Sequence, residues 1–127
     1  MLKTLTLLLA TFLLTTSALA QSASQTTCTK EEQFPACARW AKDEPTNPLA
    51  YLWLGHTAKD PNTKLAYYAR AIELGKMDKK NSVDLVALFF MGKIHTELKD
   101  YDAAIADYDR CAQVANHTKD GNPSVPY

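Results

Sequence analysis

The most apolar segment of this chain runs Val83-Asp84-Leu85-Val86-Ala87-Leu88-Phe89-Phe90-Met91-Gly92-Lys93-Ile94-His95-Thr96-Glu97-Leu98. Its apolar residues do not alternate as a half-buried strand requires, and the run is too long for one, so the pattern predicts a helix. Asn81-Ser82-Val83-Asp84 resembles a capping box at its start. Twelve residues after Gly92 stands Ala104, followed by Tyr108 and Cys111. These fall on a second expected helix, Tyr101 to Ala115, with Asp100 as its cap. The same order occurs upstream, where Tyr51-x-x-Leu54-Gly55 precedes Tyr68 and Ala71.

This order resembles the tetratricopeptide repeat, a helix-turn-helix unit of about 34 residues. In the second unit, Leu85 to about Thr118, the residues Leu88, Met91, Gly92, Ala104, Tyr108 and Cys111 fall in register. His95 stands where the family usually has tyrosine, and Asn116 where it has proline. The first unit, Pro48 to about Gly75, is three residues shorter between Gly55 and Ala71 than the second is between Gly92 and Cys111. A tighter turn is expected there, and Lys64 replaces the small alanine. The segment around Cys37, Trp40 and Pro45 resembles the second helix of a preceding half-unit. The shorter first unit is also similar to the related Sel1-like repeats, whose longer, glycine-bearing turn is absent. The resemblance implies an all-α fold, a short α-α superhelix of about two and a half units, protein-protein binding and no catalysis. Gly92 and Ala104 are expected to face each other, because helices approach closely where side chains are small. So few units make a marginal solenoid, which self-association or a disulfide would reinforce.

The remaining segments carry their own punctuation. Asn47-Pro48 and Asp60-Pro61 each place a capping side chain before a proline whose missing N–H costs nothing in a first helical turn. Helices are expected over Leu49 to Lys59 and Thr63 to Leu74, with Gly75 as a stop. Lys30 to Lys42 also shows helical spacing, and Pro35 should confine its regular part to the C-terminal half. Residues 21–29 are small and polar and read as a flexible terminus, 30–118 as the helical domain, and 119–127 as a disordered tail.

The 127 residues carry 14 basic and 14 acidic side chains, and 46% are hydrophobic. That content supports one domain with a core and argues against a disordered chain. The first twenty residues read as a secretory signal, with Lys3 before the apolar Leu5 to Leu14 and the small Ala18-Leu19-Ala20 as the cleavage site. The alternative is an uncleaved anchor. Cleavage would remove Lys3 and leave 13 basic against 14 acidic residues, a charge of −1. Broad capture of nucleic acid or anionic lipid is therefore not expected. A secreted or periplasmic location permits a disulfide, and Cys28 with Cys37, nine residues apart, is the expected pair. The alternatives are two reduced thiols or pairing with another molecule. Cys111 is expected to be free and buried.

No pattern for nucleophilic, nucleotide or metal chemistry occurs, so no catalytic residue, cofactor or metal is expected. His95 occupies a packing position. A zinc site built on His56 and Asp60 is the enzymatic alternative, though nothing near them completes it. The acidic cluster Asp100, Asp102, Asp107 and Asp109 lacks the glycine and glutamate of a calcium loop and reads as a solvated face. Asn116-His117-Thr118 is a glycosylation sequon. In the family resembled, the first helix of each unit lines a concave groove. Here that implies Leu52, Trp53, His56 and Lys59 from one unit, and Val86, Phe89, Phe90, Lys93 and Glu97 from the next. An aromatic floor edged by lysines suits a peptide or helix with an apolar anchor and an acidic group. The alternative is that these aromatics pack against the N-terminal helix or a second copy, in a structural homo-oligomer.

Overall fold

The structure, a computed structural model, describes residues 23–76 and 82–120, the last four without their side chains. The signal reading of residues 1–20 and the tail from residue 121 onward lie outside what is described, as does the side chain of His117. The described residues are all-helical, with no strand. Helix α1 covers residues 23–31, α2 Phe34–Asp43, α3 Pro48–Thr57, α4 Pro61–Gly75, α5 Val83–Glu97 and α6 Tyr101–Asp120. From α2 onward each helix packs on the next, and α3 also touches α5. Among the described residues no helix is long and apolar enough to cross a membrane.

Three starts follow from local chemistry. The Asn47 side chain accepts from the Leu49 N–H at 3.0 Å, and Asp60 accepts from Thr63 at 2.9 Å. Both precede a first-turn proline. Asp100 accepts from Ala103 at 3.3 Å. Each bond satisfies one of the N–H groups left open by a helix N-terminus. The capping box expected at α5 begins at Asn81, which lies outside the described residues. Ser82 sits in the left-handed region with φ 48°, and its side chain makes no cap bond.

The N-terminal expectation is corrected. Residues 23–31 are helical rather than flexible, and Cys28 is completely buried. The cause is tertiary: a Cys28–Cys37 disulfide, S–S 2.08 Å, ties α1 to α2. Both cysteines pack with Trp40, Ala41, Ala50 and Leu54 in one apolar cluster. Ser24 also hydrogen-bonds to Asp43 at the end of α2, and the Trp40 indole N–H donates to Glu44. Pro35 does not shorten a longer helix. It lies in the first turn of α2, and the chain breaks just before it at Glu32, φ 51°.

A second cluster joins the other helices through Leu52, Tyr68, Ile72, Val83, Leu88 and Val114, among others. Gly75 is no left-handed stop: it is the last, buried residue of α4, followed by right-handed Lys76. At the other end, α6 continues through Asn116 to Asp120, so the tail does not begin at 119.

Candidate functional site

Two hairpins, α3–α4 and α5–α6, hold most of the residues singled out by sequence. Their turns are equally long, Ala58–Asp60 and Leu98–Asp100, which corrects the expectation of a tighter first turn. The three missing residues come off the end of α3. Pro61 needs an N-cap at Asp60 and an extended residue before it, so α3 stops two residues after Gly55, whereas α5 runs five beyond Gly92.

At both close helix contacts the atoms nearest to the glycine belong to a tyrosine ring. A Cβ built on Gly55 would lie 2.5–2.9 Å from the Tyr68 ring, and one on Gly92 2.7–3.0 Å from the Tyr108 ring. The atoms nearest to Gly92 are those of Tyr108, and Ala104, expected to face Gly92, is buried. The lysine that departs from the family pattern has its own role. Lys64 Nζ donates to the carbonyls of Gly55 and His56 at 3.0 and 3.1 Å, placing a cation at the negative end of α3.

Each hairpin also bridges a histidine to a residue twelve positions on. His56 Nδ1 lies 2.7 Å from the Tyr68 hydroxyl, and His95 Nδ1 2.6 Å from Asp107 Oδ2. Burial first, then the Lys64 charge, hold the His56 imidazole below its ordinary pKa. Burial pushes the Tyr68 phenol up to about 12. The His56–Tyr68 bond is thus between neutral groups at neutral pH. Asp107, expected on a solvated face, is instead largely enclosed with His95. The sequence carried no signal for that pairing, since it depends on how α5 and α6 pack.

The residues expected to line a groove separate into three groups. Leu52 is core, only 6% exposed and packed with Tyr68 and Ile72. Trp53, His56 and Phe90 come together: ring centroids are 5.7 Å apart for Trp53–His56 and 4.6 Å for His56–Phe90. Phe90 also stacks on Tyr68 at 5.9 Å, so it helps to pack the helix pairs, contrary to expectation. With Glu32 and Thr57 these three line an open depression of about 340 Å³. Lys93 does not line it; its Nζ lies 5.7 Å from the Phe90 centroid and 5.9 Å from that of Phe89. Lys59, Phe89 and Glu97 are exposed outside it.

No protein-family model, no curated protein and no solved structure matches this chain. The geometry of the site therefore stands on its own. Glu32 was missed by sequence reading. Its only signal was its place just before Phe34-Pro35, where the chain turns from α1 into α2.

Cys111 is free but half-buried rather than fully buried, with its thiol 3.5 Å from the Leu85 carbonyl oxygen. Burial, and then Asp84, push its pKa up, which keeps the thiol protonated and unreactive. Among the described residues no group of three or more histidines, cysteines or carboxylates is placed to hold a metal. A second depression of about 190 Å³ lies over Ile72, Leu88 and Met91, rimmed by Glu73, Lys76, Asp107 and Arg110. Its charges are of both signs.

Proposed function

We propose that this chain is an exported, tetratricopeptide-like protein-binding module that takes a peptide or helical partner against the concave side formed by α3 and α5. The observation that carries the reading is the depression walled by Trp53, His56 and Phe90. Its aromatic walls offer an anchoring pocket for a large apolar side chain, the usual centre of a protein interface. Lys93, beside Phe90, suits an acidic neighbour of that anchor, and Glu32 in the lining suits a basic or N–H group. Two features support export: the apolar leader sequence, and a buried disulfide that an oxidising compartment would maintain.

The test is selection of displayed random peptides on the immobilised, oxidised protein. Enriched peptides should share an apolar or aromatic anchor, and Trp53→Ala should abolish their binding while leaving the helical circular dichroism unchanged. Peptides that bind the variant equally well, or no enrichment at all, would remove the groove reading.

A further inference from the structure

Glu32 is the one charged residue in the lining of the depression, because burial keeps the His56 imidazole neutral at neutral pH. Local physics disfavours a glutamate at this place. It stands directly after α1, where the helix dipole is negative and a carboxylate is repelled. Its φ of 51° is left-handed, a conformation that favours glycine or asparagine. Its N–H closes on the Cys28 carbonyl at 2.9 Å, and the Cys28–Cys37 bridge holds the loop that contains it. Nothing in the described chain uses the carboxylate: among the described residues it has no hydrogen bond or ion pair. A side chain held against its local preferences, with no internal partner, points to a ligand.

The groups around it fix the chemistry of that ligand. The rings are held in place: His56 is bonded to Tyr68 at 2.7 Å, Phe90 is stacked on Tyr68, and Trp53 meets His56 edge to face. The Thr57 hydroxyl donates its proton to the Trp53 carbonyl at 2.9 Å, so its oxygen is left to accept. Aromatic faces, an accepting hydroxyl and an unpaired carboxylate together suit a cation on an apolar stem. The depression is open to water, which keeps an ammonium hydrated. A guanidinium is more weakly hydrated, stacks on rings and meets a carboxylate through two N–H groups.

The chain does not supply that group itself. Residues 1–22, 77–81 and 121–127 contain no arginine, and Arg39, Arg70 and Arg110 are not in the lining. Lys93, beside Phe90, is outside it as well.

We propose that Glu32 selects an arginine of the partner, its guanidinium paired with the carboxylate and its stem laid on the rings next to the apolar anchor. The inference rests on the groove reading above and adds a charge requirement to it. The Cys28–Cys37 loop is then part of the site, because it presents Glu32 to the depression.

Peptides selected on the oxidised protein should carry an arginine within a few residues of the apolar anchor. Fluorescence anisotropy of one labelled selected peptide, and of its Arg→Gln form, is then measured against the parent and Glu32→Gln. Either change should weaken binding about tenfold, and the two together no further, the mark of one shared contact. Replacing the peptide arginine by lysine should recover only part of the loss. Glu32 is exposed, so Glu32→Gln should leave the circular dichroism unchanged, and the peptide change does not touch the fold. Selected peptides that need Trp53 but lack arginine, or that bind Glu32→Gln as well as the parent, overturn this inference and leave the groove reading intact. So do losses that add in the double change, or full recovery by lysine. Peptides indifferent to Trp53→Ala, or no selected peptide, overturn both.

Discussion

The α3–α4 and α5–α6 hairpins make the same contact, a tyrosine ring laid on a glycine, in two different degrees of enclosure. Tyr68 is sealed between α3, α4 and Phe90 of α5, and its hydroxyl is held by His56. Tyr108 touches Gly92 and Phe89 but keeps over a third of its surface in solvent. Position in the stack, rather than residue type, sets how rigid each contact is. The two turns differ in the same spirit. The first leaves α3 through extended Ala58, with Lys64 satisfying the last carbonyls. The second is closed by its own backbone, with Asp100 N–H on His95 and Lys99 N–H on Thr96 around left-handed Lys99, φ 61°.

The largest effect expected from this contrast is on the glycines. Gly55→Ala forces a methyl into a ring that cannot retreat, and should lower unfolding free energy by about 3 kcal/mol, at the upper end of overpacking costs. Gly92→Ala meets a ring free to swing outward, and its better helix propensity, about 1 kcal/mol, offsets much of the strain. It should stay within about 1 kcal/mol of the parent in urea unfolding. Equal losses would mean that the two tyrosines are equally confined.

Reduction of Cys28–Cys37 comes next. The bridge closes a ten-residue loop, and its loss should cost about 2.5 kcal/mol by the chain-entropy relation. Denaturation with and without reductant measures this. Hydrogen exchange should show α1 released before either hairpin, and simultaneous release would break the separation between the two clusters.

Turn chemistry predicts a smaller pair of opposite effects. Lys99→Gly relieves a left-handed side chain and should stabilise by about 0.5–1 kcal/mol, as for a glycine at a helix C-terminus. Ala58→Gly, at φ −65°, has no strain to relieve and should destabilise slightly. Thermal midpoints of both variants test whether the turns are as unlike as they look.

The smallest effect is with pH, because His56 is half-solvated. Its folded pKa lies below the unfolded value of 6.5, so below that pH the unfolded chain binds the proton more readily. Stability should therefore fall as pH drops from about 6.5 toward the folded pKa, and level off beneath it. His56→Gln should flatten that part of the stability profile. An unchanged profile would show that another group titrates there.

Sequence reading recovered helices and most of their starts because these depend on a few neighbours. Asn47, Asp60 and Asp100 each cap from two or three residues away, and the pattern from Leu88 to Tyr108 needs only helical spacing. It failed where the partner lies on another element. Leu52 and Phe89 hold the same place before their glycines and both read as groove residues. One is core and the other faces solvent.

What the sequence alone determined, then, is the helical class and the doubled hairpin, written in spacings of a few residues to a few turns; for Cys28 and Cys37 it offered a bridge beside two alternatives. Tertiary structure alone decided that residues 23–31 form a helix, that Gly92 meets Tyr108, that Lys64 reaches the end of α3 and that Asp107 pairs with His95. It also decided which apolar face is covered. Spacing places a side chain on one face of its own helix, but its burial depends on whether another helix arrives to cover that face. For Leu52 and Tyr68 that helix is α5, and for Phe89, Ile105 and Tyr108 no described helix arrives.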